Sequence, residues 1–297
     1  MSWTEDNKTD PQGDWGQAAE NNEIGIGQAA ENNLIGWGLA HVLSWGHALT
    51  NLFGKLAAID PDYQAVLDYA TTQSIALPIS GVQTIQNQLM IDRKAAGTWN
   101  KDDSFVCFSG TNSAFALIDW KRLSLYTAIS APTYVSATGF DGDGVAAEIS
   151  TNFEPDVNGV NYTLNNAGIA YGLSSPSTDN NYIVGSNSIK DIRSRAITAP
   201  DNQLNSAFAQ FSGSVSFNTV GNKYMDRVDA TNVVCFGDAT DTQSAASTNI
   251  QRTIVKLFRL GGQYTDAGMS WFRIGAGYTP AEKLANNTAI NTYLNAL

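Results

Sequence analysis

Asp141-Gly-Asp-Gly144 is the most ligand-like short motif in the chain, because carboxylates on a Gly-bent loop supply the hard oxygen donors that Ca²⁺ takes. Only Asp141 and Asp143 stand close together, far short of a complete calcium loop, and a plain turn between Phe140 and Val145 outweighs the metal reading. Retaining glycoside hydrolysis needs two carboxyl groups about 5–5.5 Å apart. No Glu-x-Asp-x-Glu run occurs, and Glu148, Glu154 and Glu282 are not paired at strand spacing with another acid, so hydrolysis is not expected. His41 and His47 share neither a helical face nor a ligand spacing and read as core or interface histidines. With two His and two Cys in all, neither a zinc site nor another resident cofactor is expected. No nucleophile elbow supports Ser-His-Asp catalysis, and no Gly-x-x-x-x-Gly-Lys loop is there to cradle phosphates.

Two further groups could meet a ligand. Trp99, Trp120 and Trp271 have the rings that stack on sugars, although a Trp in or beside a strand is more often core, and Trp120 is read that way. Ile189–Arg195 gathers Lys190, Arg193 and Arg195, the basic cluster of an acidic body, and reads as a solvated edge strand guarded by charge. Cys107 and Cys235 sit in similar apolar settings, Phe-Val-Cys-Phe and Val-Val-Cys-Phe, and are expected as two buried free thiols.

Among the elements that would position these residues, Asp14–His47 stands apart because it repeats. Trp15-Gly-Gln-Ala-Ala-Glu-Asn-Asn-Glu-Ile-Gly25 is followed directly by Ile26-Gly-Gln-Ala-Ala-Glu-Asn-Asn-Leu-Ile-Gly36, and a third copy starts at Trp37. An eleven-residue period is close to three helical turns. Two glycines per unit argue for short helical turns broken at Ile-Gly-Ile-Gly and Ile-Gly-Trp-Gly. Units this short cannot bury their own apolar residues and must lie on another surface. Trp15, Ile24, Ile26, Ile35, Trp37 and Trp45 are therefore candidate docking residues, either on the chain's own body or, the favoured reading, on a neighbouring subunit. Leu34–Phe53 is long enough to span a membrane, but its His, Asn, Ser and Thr make it a poor span. Met1–Asp10 has no basic region leading into an apolar one, so no Sec-type signal is expected.

The rest of the chain changes texture at Trp99. Asp60-Pro61 should start a helix that ends near Thr72, and Ser80-Gly-Val-Gln83 reads as a capping box for a second helix that stops at Gly97. These two helices read as a neck, residues 55–98, between an arm of residues 1–54 and a β-rich part of residues 99–297. From there strands are expected at Phe105–Phe108, Ala114–Ile118, Leu123–Thr127, Val145–Ile149, Gly168–Leu173, Tyr182–Val184, Ile189–Ile192, Ala207–Phe211, Ser214–Asn218, Lys223–Val228, Val233–Phe236, Thr253–Leu260 and Met269–Ile274. Alternation such as Trp271/Arg273 against Phe272/Ile274 marks two packed antiparallel sheets. Thr279-Pro-Ala-Glu282 then caps a last helix with Leu284, Ile290, Tyr293, Leu294 and Leu297 on one side.

Composition narrows the class. The net charge of −11 argues against a nucleic-acid partner, which would draw on a basic stripe. A hydrophobic share of 43% suffices for a substantial core, while only 15% of residues are charged, so polarity comes from Asn, Thr, Ser and Gly, as in turn-rich β structure.

Asp92-Arg-Lys-Ala-Ala-Gly-Thr-Trp99, Phe115-Ala-Leu-Ile-Asp-Trp-Lys-Arg122, Gly139-Phe-Asp-Gly-Asp-Gly144, Thr151-Asn-Phe153, Asn161-Tyr-Thr-Leu-Asn-Asn166 and Phe272-Arg-Ile-Gly-Ala-Gly277 resemble motifs of virion structural proteins of tailed phages of Bacteroidota. The resemblance covers roughly Leu56–Leu297. It implies a concanavalin-A-like (laminin-G-like) jelly-roll β-sandwich carried on the virion, in tail, fibre or capsid spike, and brings no catalytic residue. The role expected is a non-enzymatic structural protein, anchored among other virion proteins by its arm. It would form a homo-oligomer, trimer favoured, and display a lectin-like sandwich to host-surface glycan. A glycan-degrading depolymerase on the same fold, or a pure scaffold subunit, are the competing roles.

Overall fold

Local chemistry sets the ends of three helices. In α1 (Pro61–Thr72) Asp60 caps the start, its Oδ1 accepting the Asp62 N–H at 2.9 Å ahead of Pro61. α2 (Ser80–Ala95) is followed by Gly97 at φ 71°, a left-handed stop that glycine takes without a Cβ penalty. Its N-cap is Ile79, which has no side-chain acceptor, so the expected Ser80–Gln83 capping box does not form, and Gln83 Nε2 donates instead to the Pro78 carbonyl at 2.7 Å. α3 (Pro280–Ala296) does carry its capping box, between Thr279 and Glu282. Ile290 and Tyr293 are buried and Leu294 and Leu297 partly so, but Leu284 is 65% exposed, against expectation. Lys283 and Asn286 are drawn inward at that level, which turns Leu284 outward.

This computed structural model describes residues 58–179, 181–186, 192–195, 201–205, 209–210, 216–237, 240–250 and 252–297. The repeat arm, with Trp15, Ile24, Ile26, Ile35, Trp37 and Trp45, lies outside them, as do Leu34–Phe53, both histidines and Lys190. Among the described residues no helix is long and apolar enough to cross a membrane.

Two antiparallel sheets form a β-sandwich. One has the order Thr240–Ser244, Asn232–Phe236, Gly221–Arg227, Ala167–Ser175, Gly268–Gly275, Gly139–Asp141, Thr133–Val135, with Asp102–Cys107 also paired to Gly268–Gly275. The other has the order Ala209–Gln210, Asp201–Leu204, Ile192–Arg195, Tyr182–Gly185, Lys256–Leu257, Glu148–Ser150, Thr127–Ile129. Because strand side chains alternate, the first sheet buries both faces. Val106, Ile169, Tyr171, Met225, Cys235, Phe272 and Ile274 fill the space between the sheets, together with Ile149, Val184 and Leu257 of the second. Phe105, Cys107, Ala170, Tyr224 and Trp271 point the other way and pack with Tyr63, Val66 and Leu67 of α1, Leu89 and Met90 of α2, and Ile290 and Tyr293 of α3. The helices read as a neck are thus a layer on the sandwich, inside one compact unit that runs from Ile59 to Leu297. Both cysteines are free and buried.

Several expected strands are corrected. Ala114–Ile118 is mostly a 3-10 turn, Phe115–Leu117, because Asn112 Oδ1 accepts the N–H groups of Ala114 and Phe115. Thr253–Leu260 is two short strands, Lys256–Leu257 and Arg259–Leu260, separated by Phe258 at φ 66°. In Ser214–Asn218 only 216–218 are described, and they are not in a strand. The strand bearing Arg193 and Arg195 is no edge: Ile192–Arg195 pairs on both sides, with Tyr182–Gly185 and Asp201–Leu204.

A buried charge network pins the helix layer to the sheet. Asp102 lies between two guanidiniums, with Arg93 Nη2 2.5 Å from Oδ2 and Arg273 Nε 2.8 Å from Oδ1, all three side chains fully buried. Tyr278 Oη donates to Asp102 Oδ1 at 2.8 Å and accepts from Arg93 Nη2 at 3.1 Å. Arg93 Nε donates to Asn286 of α3 at 2.9 Å, and Lys283 Nζ sits 3.0 Å from Asp226 Oδ2. The Arg93 guanidinium also lies 3.7 Å from the Phe105 ring centre. Removing one partner of such a pair strands charge in a dry interior. Asp102→Ala is expected to cost about 3–5 kcal/mol in urea unfolding, whereas Leu284→Ala, at an exposed position, should stay within about 0.5 kcal/mol.

Candidate functional site

A turn and a helix start build the site. After Asp102–Cys107 the chain returns through Ile118–Asp119, and buried Asp119 Oδ1 accepts the N–H groups of Phe105, Lys121 and Arg122 at 3.2, 2.9 and 3.2 Å. Ser104 Oγ donates to Asp119 Oδ2 at 2.6 Å. This clamp holds Trp120 and Lys121 beside the start of α1, where they and Asp62, Ala65, Trp99 and Leu123 line a pocket of about 120 Å³.

The pocket is polar. Asp62 Oδ2 accepts Trp99 Nε1 at 2.8 Å and lies 2.7 Å from Lys94 Nζ. Lys121 Nζ donates to the Trp99 carbonyl at 2.9 Å and stands 4.6 Å from the Trp99 ring centre. Trp120 is 2% exposed, and its Nε1–H has no hydrogen-bond partner among the described residues. A buried donor without an acceptor is uncommon in folded proteins.

Electrostatics follow the geometry. The hydrogen bond from Lys94 holds the Asp62 carboxyl below the usual carboxylate range, against partial burial, and the Trp99 indole adds to it. Burial lowers the Lys121 ammonium, against the pull of Asp102 and Asp62. Burial pushes Asp119 up to about 6, despite the Ser104 hydroxyl and the backbone N–H groups.

Most residues singled out from sequence have structural partners here. Trp99, Trp120 and Trp271 are 3%, 2% and 0% exposed, so none presents a face for stacking, although the first two line the pocket. Trp271 is clasped by Asn222 Oδ1, which accepts its Nε1 at 2.7 Å. Asp143 Oδ1 accepts the N–H groups of Val145, Ala146 and Ala147 at 2.9, 2.8 and 2.7 Å, so Asp141–Gly144 is a capped turn. Burial raises the Asp141 carboxyl. Among the described residues no group of three or more His, Cys, Asp or Glu could hold a metal ion. Glu148, 2% exposed, is held by Lys256 Nζ at 2.8 Å and Arg259 Nη1 at 2.5 Å. Glu282 belongs to the α3 cap and pairs with Lys101 at 2.7 Å. Asp62, Ala65, Lys121 and Leu123 carry no ligand signal of their own in the sequence: Lys121 and Leu123 lie within three residues of Trp120, while Asp62 and Ala65 reach the pocket only through the packing of α1.

No protein-family model and no curated protein matches this chain. Among solved structures it is similar to the botulinum neurotoxin serotype D binding domain (TM-score 0.43, 10% identity, 65% of this chain and 51% of that one). It is also similar to Trypanosoma rangeli sialidase in complex with 2,3-difluorosialic acid (TM-score 0.43, 8% identity, 71% of this chain and 39% of that one). A third is domain 4 of AbnA, a GH43 extracellular arabinanase from Geobacillus stearothermophilus, in complex with arabinotriose (TM-score 0.38, 10% identity, 63% of this chain and 98% of that one). The chain thus spans about half or less of the first two. At these levels the likenesses pass neither ligand nor activity to this chain.

The two shifted carboxyls have opposite pH signatures. Asp119 binds its proton more tightly folded than unfolded, so its stabilisation is complete below 3.8 and lost as pH rises through about 6. Asp62 contributes above 3.8 and loses its contribution as pH falls through its lower folded value. Carboxyl ¹³C titration is expected to give a midpoint near 6 for Asp119 and below 3.8 for Asp62.

Proposed function

We propose that this chain is a non-enzymatic structural protein of a tailed-phage virion, in tail, fibre or capsid spike. Its N-terminal arm anchors it among other virion proteins as part of a homo-oligomer, and its β-sandwich binds a host-surface glycan. The virion placement rests on the ordered motifs between Asp92 and Gly277. The glycan-binding part is carried by one observation, a small pocket that gathers the Asp62 carboxylate, the Lys121 ammonium and Trp120, whose buried Nε1–H has no hydrogen-bond partner among the described residues. Convergent polar groups of this kind fix the hydroxyls of a sugar ring.

Size limits the ligand. Pockets for drug-sized molecules run to about 300–1,000 Å³, whereas this one holds about 120 Å³, so it suits part of one terminal sugar residue rather than a chain segment. Commitment of Glu148, Glu282, Asp119 and Asp143 to ion pairs or backbone caps supports binding over hydrolysis.

Ala65→Phe fills the pocket from the surface of α1. The full chain is expected to bind a set of glycans on an array of bacterial surface saccharides. In calorimetry with one of them, Ala65→Phe should weaken binding on the order of tenfold, about 1.4 kcal/mol, with little change in Tm. Release of reducing ends from capsular or laminarin-type polysaccharide, abolished by replacing one carboxylate, would establish the depolymerase instead. An array with no bound glycan would favour the scaffold role.

A further inference from the structure

We propose that the uncharged flank formed by Thr127–Ile129 and Thr133–Val135 is a docking surface for a second copy of this chain, strand against strand. Thr127–Ile129 ends the order of the seven-stranded sheet, and Thr133–Val135 ends that of the eight-stranded sheet. Only residues 130–132 connect them, so both sheet ends meet on one flank of the sandwich. Thr127, Ala128, Ile129, Ser130 and Ala131 are all exposed, with Ile129 at 39% and Val135 at 41%. From Leu123 to Phe140, residues 123–140, there is no Asp, Glu, Lys or Arg, in a chain with 28 acids and 17 bases. The opposite end of the eight-stranded sheet, Thr240–Ser244, carries Asp241.

An exposed edge offers a row of backbone N–H and C=O groups that only another strand satisfies in full, and natural edges usually carry charge to prevent that pairing. Here the charge is missing. The choice of a second copy follows from the charge balance: bodies of net charge −11 repel over most of their surfaces, and a neutral flank is where two of them approach without that penalty. A two-fold axis sets the edge against itself antiparallel, so Thr127 and Ile129 meet their counterparts across the new ladder. Ser130 at φ 55°, Ala131 at φ 50° and Pro132 interrupt the flank, which confines pairing to two three-residue segments and stops it from running on into a fibre. The inference gives the homo-oligomer proposed above a two-fold contact, in place of the trimer expected from the sequence, and stands on the edge alone.

Sedimentation velocity on the full chain over a concentration series is expected to show monomer and dimer. The double variant Ile129→Lys, Val135→Lys should shift it towards monomer, with association weakened on the order of tenfold or more and an unchanged Tm. Amide exchange at Thr127–Ile129 should slow with concentration in the wild type and not in the variant. A wild-type chain that stays monomeric throughout overturns the proposal. Association that survives the double variant but is lost in a full chain carrying Trp15→Ala, Trp37→Ala and Trp45→Ala also overturns it and assigns the contact to the arm. Protection of these amides only in the presence of another virion protein gives the flank to that partner instead. Glycan binding is read separately and is unaffected by each of these outcomes.

Discussion

One carboxylate, Asp102, is the constraint on which the helical side of the molecule depends. It lies in a dry interior between the guanidiniums of Arg93 and Arg273. A second buried carboxylate, Asp226, extends the network, lying 3.7 Å from Arg273 and 3.0 Å from Lys283, so that two carboxylates are shared among three cations. The five elements that supply these groups span residues 93–283, so the network forms only when the helices have docked on the sheet. Buried ion pairs add little net stability over a well-packed apolar core. Their effect here is on alternatives: α2 and α3 can slide across Phe105, Tyr224 and Trp271 only by uncoupling charge from countercharge.

The pocket is a by-product of that docking. Trp99 and Trp120 are core residues of the helix-facing layer, and rings as large as these seldom vanish entirely into a core. Trp99 finds an acceptor in Asp62. Trp120, held by the Asp119 clamp, finds none. Among the described residues, that buried donor is left without a partner, although the ring around it stays in the core.

Legibility varied with the range of the interactions involved. Thr279 and Glu282 cap α3 through contacts three residues apart, and the box reads directly from the sequence. Gly268–Gly275 and Ala167–Ser175, buried on both faces over most of their length, read as strands because such burial demands long runs poor in charge. Phe258 at φ 66° broke an apparently continuous strand, since nothing local announces a left-handed Phe. Arg193 and Arg195 looked like edge guards because charge is rare inside sheets, yet their strand has partners on both sides. Of the pocket, Trp99 and Trp120 drew notice by residue type. Asp62 lies 37 residues from Trp99 in sequence, and only the packing of α1 joins them.

Each of the two buried layers holds one free cysteine. Cys107 lies under the helices and Cys235 between the sheets. Burial pushes the Cys107 thiol up to about 12 and raises Cys235 well above its ordinary value, so neither is a thiolate at neutral pH. A thiol reagent therefore reaches either sulfur only when its layer opens. The molecule carries two built-in clocks, one timing the lifting of the helices and the other the parting of the sheets, and their difference in rate reports which layer comes apart first.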